Sequence, residues 1–573
     1  MRFPTVPTKR TLLTTLVLAF FTPTTSPAQT LDPATQSILS LMAGPADGIA
    51  YYRMRDSARA LVDARSNAAA APLLLQLTRD YPRDGTNWLR LAQIHMRLGH
   101  NAAAVDAWEK AGTILGWSNT NARINQASIL TALGQRDSAL ALLRREVFDD
   151  HSIARQSIAS MQQFASLRDD PEFQRITGTI PQTSRSRDDG WRGDVDYLYA
   201  ELSRTSPDYR ERPLPAEVTR RYEQVKRDVP RLSDEEIFVG MTRMMAPLRA
   251  GHTSLFMPTG TRHLPIRTYA FPDGIYVMEG QGSFANLAGS RITAIGTTSI
   301  DTVLRRMALG ANTDGDNEHL WHVSALAQTH YLKGLGAISR VDSVPLTLQS
   351  RDGKLRTVVV ATSATPPEGR QDKMSPPPGI QAPLFLRDLD KKFWETALPE
   401  HDAIYVAFNN VSNNPDETLE AFGKRLGALL DTRKSKSLII DMRHNNGGNT
   451  NLYTELLRTV IAFSRDSAHR VYALIGRRTY SATGNFVTDL DRLVKPVWVG
   501  EATSECCNLH GDPTHVVLPY SKIEGELSVF RWNLGLPWDG RREIVPDVPV
   551  QLPAEAYFTG RDPILEAVFK LMR

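Results

Sequence analysis

The sequence predicts a multidomain α+β protein in which a helical-repeat region and a further helical segment precede a β-rich module and a C-terminal layered α/β domain. Three observations carry this prediction. Ala and Leu recur at helical spacing between about residues 50 and 150, strand-like runs dominate residues 264–360, and strands alternate with helices from about Phe393 onward. A chain of 573 residues is also too long for one core, and at roughly 100 to 200 residues per domain it predicts about three or four domains.

The first segment, residues 1–28, has the composition of a secretory signal peptide. Three basic residues precede the apolar stretch Leu12–Phe21, and small residues surround a plausible cleavage site near Ala28. The apolar stretch is too short to span a bilayer comfortably. We therefore expect a periplasmic or secreted protein, with no membrane insertion after the signal is cleaved.

The charge balance argues against nucleic acid as a partner. Removing residues 1–28 takes away three positive charges, so 67 basic against 63 acidic residues become 64 against 63. A nearly neutral protein lacks the general excess of positive charge that phosphate backbones require. The two cysteines, Cys506 and Cys507, are adjacent, which excludes a disulfide framework and leaves either a vicinal disulfide or two loop thiols.

Residues 29–185 form the predicted helical domain. Two Ala- and Leu-rich stretches can be superposed so that Leu98-Gly99 matches Leu133-Gly134 at an offset of 35 residues. This spacing, with a small-residue turn between two helices, resembles tetratricopeptide repeats. The resemblance implies a groove for a protein partner, and a plain helical cap on the next domain remains the equal alternative.

Residues 186–262 form a further helical segment. Its second helix opens at Ser233 with Glu236 three residues later, which is a capping-box pattern. The helix ends before "AGHT", which contains His252.

Residues 263–361 form the β-rich module, with strands predicted at "LPIRTYAF", "GIYVME", "SRITAIG", "VPLTLQS" and "LRTVVVA". The strand order and the helix from Ser299 resemble a PDZ-like module, which implies that a peptide could bind as an added strand. The Pro-rich residues 362–392 predict a linker or surface loop.

Residues 393–573 alternate strand and helix, which predicts a layered α/β domain. The ligand site of such a domain lies beyond the carboxyl ends of its strands. Ser481 and the stretch "HNNGGN" both follow predicted strand ends. Ser481 is then either a catalytic nucleophile on a strand-to-helix turn or only a helix cap.

A nucleophilic serine needs a base and backbone N–H donors for its oxyanion. Gly447 and Gly448 lie between a buried strand and a helix start, where N–H groups can face an anion. The alternative is a tight turn that needs glycine only for its torsion angles. No G-x-S-x-G elbow surrounds Ser481, because Thr479 stands where the first glycine belongs, and no S-x-x-K pattern fits.

Five segments in order resemble the C-terminal processing and tricorn-like serine peptidases: "RAGHTSLF", "LIIDMRHNNGGN", "YALIGRRTYSATGNF", "VWVGEATSECCNLHG" and "REIVPDVPV". The resemblance spans about Trp191 to Leu552. It implies a crotonase-like peptidase core. It also implies that Ser481 is the nucleophile and that the backbone amides of Gly448 and Ala482, with neighbouring Gly447, form the oxyanion hole.

The same resemblance places His252 at the general base of the tricorn-like branch. Glu543, ahead of the P-D pair, is the candidate that orients the imidazole, with Glu501 and Asp547 as competitors. The lysine that the processing-protease branch carries after G-E-x-T is absent from "SECCNLHG", which favours the histidine branch. Ala250 and Gly484 stand where many members have acidic residues. A degenerate, non-catalytic member of the family therefore remains an alternative.

These features predict a serine-type endopeptidase of the tail-specific or tricorn-like kind. It would act on extended or unfolded polypeptides, with no metal or organic cofactor. A non-catalytic peptide-binding scaffold with a relict peptidase domain is one alternative. An esterase that uses the same serine is another, because the sequence constrains the acyl-transfer groups better than the leaving group.

Overall fold

The computed structural model describes residues 48–115, 121–148, 155–179, 186–258, 260–316, 318–366 and 374–573. The predicted signal peptide and its cleavage site lie outside the described residues. The described chain mixes helices and sheets and divides into two compact units between Ala122 and Arg123. No helix in the described part is both long and apolar enough to cross a membrane.

The described residues before 180 are helical. The helices are α1 (Gly48–Asp63), α2 (Asn67–Asp80), α3 (Gly85–Arg97), α4 (Asn101–Leu115), α5 (Ala122–Ala132), α6 (Arg136–Phe148), α7 (Arg155–Ser160) and α8 (Pro171–Thr177). Gly99 and Gly134 follow α3 and α5 with positive φ angles of 73° and 74°. The next N–H after each glycine donates to the carbonyl five residues earlier, from His100 to His95 and from Gln135 to Leu130. The two Leu-Gly turns, which are 35 residues apart in the sequence, therefore have the same local geometry.

Three longer helices follow: α9 (Arg187–Thr205), α10 (Ala216–Asp228) and α11 (Asp234–Met245). The predicted capping box at α11 is confirmed. The Ser233 hydroxyl accepts from the Glu236 N–H, and the Glu236 carboxylate accepts from the Ser233 N–H. The chain then turns through the segment that carries His252 into a short strand, β1 (Ser254–Leu255).

The β-rich module is an antiparallel sheet of order β2-β3-β4-β6-β7, with β5 paired to β4. All five predicted strands are confirmed. The elements are β2 (Ile266–Phe271), β3 (Gly274–Gly280), β4 (Arg291–Ile295), β5 (Thr298–Ser299), α12 (Ile300–Ala308), α13 (Thr329–Gly334), β6 (Ser343–Gln349) and β7 (Leu355–Ala361). Its apolar face shares one core with α9 to α11.

The C-terminal domain is built on a six-stranded sheet of order β15-β12-β11-β10-β9-β8, parallel except for β8. Its strands are β8 (Phe393–Leu398), β9 (Ala403–Phe408), β10 (Ser437–Asp441), β11 (Arg470–Ile475), β12 (Val497–Gly500) and β15 (Val548–Pro549). Its helices are α14 (Leu419–Arg433), α15 (Thr454–Ser464), α16 (Ala482–Leu493), α17 (Ala554–Phe558) and α18 (Pro563–Leu571).

Helices cover both faces of this sheet. Side chains of α14, α15 and α16 pack on one face, and those of α18 pack on the other. Burial on both sides explains why "AIYVAF" and "SLIID" are nearly continuous apolar runs. Since β10 and β11 are parallel, the turn that holds Gly447 and the turn that holds Ser481 leave the same edge of the sheet.

A three-stranded sheet of order β1-β14-β13 joins the segment after His252 to the C-terminal half of the chain. It contains β13 (His510–Val517) and β14 (Glu524–Arg531), and β1 pairs antiparallel with β14. Short 3-10 turns complete the described structure at 162–167, 229–231, 246–248, 282–287, 318–327, 384–386, 399–401 and 450–452.

Part of the Pro-rich stretch packs against the folded core. Its residues 367–373 lie outside the described residues, but Met374, Phe385 and Leu386 are buried in one apolar cluster with Phe271 and Tyr557. The described part is therefore packed, and it differs from a free linker because its apolar side chains cover the junction of β2 with α17.

Candidate active site

Ser481 lies on a sharp turn between strand β11 and helix α16. Its backbone angles, φ 57° and ψ −126°, are rare for a residue with a side chain and mark stored strain. The side chain forms no capping hydrogen bond with the helix. The turn has the geometry of a nucleophile elbow, so the hydroxyl is directed to something other than a helix cap.

Thr479 explains how this elbow forms without the first glycine. Its hydroxyl accepts from the Gly476 N–H at 3.1 Å and donates to the Met442 carbonyl at 3.0 Å. The side chain thus ties the turn after β11 to the end of β10. This buried hydroxyl, with its two backbone partners, stabilises the turn at the position where a G-x-S-x-G elbow has its first glycine.

His252 Nε2 lies 3.0 Å from Ser481 Oγ, although the two residues are 229 positions apart. The histidine is carried by the short segment between α11 and β1. When Nε2 accepts the hydroxyl proton, Nδ1 carries the ring proton. Nδ1 faces the Tyr480 hydroxyl oxygen at 2.8 Å, and the two rings stack at 4.5 Å between centroids. The structure therefore brings together the predicted nucleophile and base.

Burial lowers the pKa of His252 to about 4, opposed in part by the negative charge of Asp314. The imidazole is therefore neutral at neutral pH. A neutral ring with Nε2 toward Ser481 is the state that a general base requires.

Glu505 and Asp314 are the two carboxylates grouped with His252, and Glu505 is the one that forms an ion-pair contact with its ring. Its Oε2 lies 3.9 Å from His252 Nδ1, within reach of an ion pair once the ring is protonated. Its side chain is completely buried, and Oε1 accepts a short hydrogen bond from the Ser481 N–H. Glu505 therefore holds the turn that carries Ser481 and faces His252.

The prediction that Glu543 orients His252 is corrected by this geometry. Glu543 Oε2 accepts from the Asp316 N–H at 3.0 Å, so it holds a neighbouring loop. The two competitors are also engaged elsewhere. Glu501 forms a two-pronged ion pair with Arg477, and Asp547 accepts from the Trp498 N–H. Sequence reasoning missed Glu505, although it lies four residues beyond the G-E pair, because a single Glu in a loop carries no local pattern that indicates a contact with a distant histidine.

Two backbone N–H groups are placed to receive an oxyanion. Ala482 is the first residue of α16, so its N–H has no acceptor within the helix. No hydrogen bond between described residues uses the Gly448 N–H. Both residues line the same cavity as Ser481. This placement fits the predicted oxyanion donors.

Gly447 has a different role from the one predicted. Its N–H donates to Asn445 Oδ1 at 3.1 Å and is not available to an oxyanion. Its φ is 104°, and a Cβ there would lie 2.5 Å from the Ser481 Cβ and 3.0 Å from the Ala482 N. Glycine is therefore required at this position so that the turn can approach Ser481.

The D-x-R pair before the glycines is an anchor for that turn. Arg443 forms ion pairs with Asp441 at 2.5 Å and with Asp562 at 2.8 Å, and all three side chains are buried. The Tyr405 hydroxyl donates to Asp441 at 2.6 Å. Because each charged group has partners, this network can be buried and fixes the end of β10 against α18.

A loop of the β-rich module, residues 311–316, holds the segment that carries His252. Asn312 Oδ1 accepts from the Ala250 N–H at 2.8 Å, and Asn312 Nδ2 donates to the Thr253 carbonyl at 2.9 Å. Asp314 Oδ2 accepts from the Gly251 N–H at 2.7 Å. The backbone on both sides of His252 is therefore bonded to two side chains of this loop.

Asp314 also begins a chain of buried charges. Its Oδ1 lies 3.3 Å from His510 Nδ1, and His510 Nε2 lies 2.9 Å from Asp208, which also pairs with Arg531. Burial opposes protonation of His510, but hydrogen bonds to Asp208 and Asp314 raise its pKa to about 9. His510 is therefore a cation at neutral pH and joins the end of α9 to the loop that holds the His252 segment.

The same residues supply a group of potential metal ligands. One ligand atom each from His252, Asp314 and Glu505 lies within 4.8 Å of the others, the one such group among the described residues. Each side chain already has a partner in the serine site: Ser481 Oγ, the Gly251 N–H and the Ser481 N–H. The serine site accounts for this arrangement, and we assign no metal to it.

The adjacent cysteines form a vicinal disulfide. Cys506 and Cys507 are bonded and buried directly after Glu505, which decides between the two possibilities left by the sequence. The Cys507 N–H donates to the Thr488 hydroxyl on α16 at 2.8 Å. The pair therefore packs behind the active site.

Solved structures resemble this chain at low sequence identity. Mature CPAF in complex with lactacystin is 13% identical, with 67% of this chain and 98% of that chain covered and a TM-score of 0.50. A CPAF mutant is 12% identical, with 67% and 97% covered and a TM-score of 0.51. The photosystem II D1 C-terminal processing protease is 14% identical over 67% and 97%, but its TM-score of 0.32 adds no weight.

No protein-family model and no curated protein matches the chain. At identities this low, a structural likeness bears on the fold. The chain shares the fold of CPAF, and the resemblance predicted from its motifs is confirmed at the level of fold.

Proposed function

We propose that this protein is an exported serine endopeptidase that hydrolyses peptide bonds of extended or unfolded polypeptides through an acyl-enzyme on Ser481, with His252 as general base. The observation that carries the proposal is the 3.0 Å contact between His252 Nε2 and Ser481 Oγ. The neutral imidazole and the amides of Gly448 and Ala482 support it.

The reaction follows from these positions. His252 Nε2 takes the Ser481 proton while Oγ attacks the scissile carbonyl carbon, and the Gly448 and Ala482 N–H groups donate to the oxyanion. The imidazolium then gives its proton to the leaving amine, and the acyl group stays on Oγ. A water attacks the acyl-enzyme as Nε2 removes its proton, and collapse returns the proton to Ser481.

We propose that Glu505 stabilises His252 when its ring is protonated. Its carboxylate lies 3.9 Å from His252 Nδ1, and the Tyr480 hydroxyl lies 2.8 Å from the same nitrogen. A buried negative charge near Nδ1 stabilises the ring when it becomes positive. We place Glu505 as the third member of the triad in preference to Glu543.

The other modules fit the same activity. We propose that the antiparallel β-rich module is PDZ-like and positions the polypeptide, and that the repeated helical turns form a tetratricopeptide-like surface for a protein partner. The layered C-terminal domain is proposed as a crotonase-like peptidase core. Export to the periplasm or the medium rests on the signal-like residues 1–28.

A relict scaffold and an esterase are the competing functions. A relict site has no reason to keep a strained serine in contact with a neutral buried histidine, so these contacts favour catalysis over the scaffold. The esterase differs in its leaving group alone. Rates on matched peptide amides and small esters separate it from the endopeptidase.

The test is labelling of the full chain with a fluorophosphonate, followed by mass spectrometry of the modified residue. Ser481→Ala and His252→Ala should each abolish labelling, and each should lower hydrolysis of an unfolded protein by roughly 10⁴-fold or more. Ser467→Ala, at an exposed serine, should label and cleave as wild type. Folded wild-type protein that neither labels nor cleaves would favour the scaffold.

A further inference from the structure

A cavity of about 360 Å³ opens beside Ser481. Its wall includes Ser481, Gly448 and Ala482, whereas His252 is not among the described residues that line it. In acyl transfer the base hands its proton to the leaving amine, so the leaving group lies on the histidine side. The residue whose carbonyl enters the oxyanion hole lies on the other side. This cavity is therefore placed to hold the side chain immediately before the scissile bond.

The charge of the cavity is negative. Asp512 is the one charged side chain among the described residues of its wall, and no basic residue lines it. No hydrogen bond or ion pair between described residues engages the Asp512 carboxylate, which is exposed at the cavity. A negative group with no resident partner favours a cation as the occupant.

Uncharged polar groups and two apolar side chains form the rest of the wall. Asn485 is 1% exposed, donates to the Thr450 hydroxyl at 2.9 Å, and has no donor for its Oδ1 among the described residues. Leu509 and Trp532 supply the apolar part. A long side chain with an aliphatic stem and a charged head suits such a wall, because the stem packs on apolar groups while the head reaches the carboxylate.

We infer that this cavity binds the side chain of a lysine or arginine immediately N-terminal to the scissile bond, and that Asp512 is a specificity-determining residue. The inference rests on the proposed peptidase function and adds its substrate class. A large apolar side chain would leave the polar wall without hydrogen-bond partners, and an acidic one would be repelled by Asp512.

The experiment measures both labelling and cleavage by the full chain. Three peptidyl diphenyl phosphonates that differ in one residue, Lys, Gln or Leu, at the position next to phosphorus give rates of Ser481 modification. Three peptide substrates with the same replacements give kcat/KM. We expect the lysine compounds to react about 10-fold or more faster than the leucine compounds, as for a charge pair worth about 1.4 kcal/mol.

Asp512→Asn is the test variant, since it removes the charge and keeps the shape. It should reduce kcat/KM for the lysine peptide about 10-fold and leave the glutamine peptide unchanged. Asp416→Asn is the matched control, because Asp416 is exposed, has no ion pair among the described residues and does not line the cavity. It should keep the wild-type preference.

The outcomes separate this inference from the function on which it rests. Ser481 modified equally fast by all three phosphonates, or faster by the leucine compound, overturns the inference and leaves the peptidase intact. A lysine preference that survives Asp512→Asn removes the role of Asp512. Failure of Ser481 to react with any phosphonate or fluorophosphonate overturns both.

Discussion

At the scale of single residues, the proposed triad depends on which carboxylate faces His252. Glu505 and Glu543 are both close in sequence to the peptidase motifs, but they have different partners. Glu505 contacts the nucleophile turn and faces the imidazole, and Glu543 holds the Asp316 N–H. The two residues therefore form a natural pair of test and control.

We expect Glu505→Gln to lower kcat by roughly 10²- to 10⁴-fold, because the imidazolium loses its buried counter-charge. Glu543→Gln should change kcat by less than about 10-fold. Steady-state kinetics on one peptide substrate, with circular dichroism to verify folding, makes the comparison. Equal losses in the two variants would contradict the assignment of Glu505.

A second prediction at this scale concerns pH. Because burial lowers the pKa of His252 to about 4, the ring is neutral, and active as a base, above that pH. The value of kcat/KM should therefore stay level from pH 7 to about pH 5 and fall with an apparent pKa near 4. A profile of initial rates at constant ionic strength measures it. An acid limb near the ordinary histidine value of about 6.5 would show that the imidazole is not buried as described.

At the scale of elements, the histidine segment is held by a loop from another module. Ala250, Gly251 and Thr253 are bonded to side chains of Asn312 and Asp314, which follow α12 of the β-rich module. Such contacts touch no substrate. They act on the position of His252, and small displacements of a catalytic group have large effects on rate.

We expect Asn312→Ala to lower kcat about 10- to 100-fold with little change in KM, since two hydrogen bonds to the histidine segment are lost. Thr313→Ala is the control in the same loop, because no hydrogen bond between described residues joins the Thr313 side chain to the segment that carries His252. Measurements of kcat and KM for both variants show whether Asn312 positions His252. A rise in KM alone for Asn312→Ala would assign the residue to substrate binding instead.

At the scale of the whole molecule, distant parts of the second compact unit meet around His510. Asp208 follows α9, Asp314 follows α12, and His510 opens β13. A cation between two carboxylates ties these three regions together. Its contribution to stability depends on keeping His510 protonated.

The folded-state pKa of His510 is raised to about 9, above the unfolded value of about 6.5. Its contribution to stability is therefore fully present below about pH 6.5 and is lost as pH rises through 9. We expect the free energy of unfolding to fall by about 1 to 3 kcal/mol across this window. His510→Gln should be less stable at pH 6 and should show a smaller fall. Urea unfolding at pH 6, 7.5 and 9 makes the measurement, and parallel curves for the two proteins would contradict it.

The sequence by itself determined the local elements and pointed to the residues of the candidate site. The period of apolar residues predicted the strands of both sheets and the helices between them, because burial on one or two faces leaves its pattern along the chain. The capping box at Ser233 and the repeated Leu-Gly turns are local patterns, so they could also be predicted from the sequence. The resemblance of five motifs, in order, to those of a peptidase family predicted the site residues Ser481, His252, Gly448 and Ala482.

Only the tertiary structure decided how groups distant in sequence meet. No local sequence pattern predicts that Glu505, Tyr480 and the Asn312–Asp314 loop contact His252 or its segment. These contacts depend on packing between modules. The sequence predicts Gly447 as part of the oxyanion hole, but its N–H donates to the Asn445 side chain. Periodicity and capping act between neighbours in the chain, whereas orientation of a base, availability of a backbone donor and burial of a charge are set by long-range contacts.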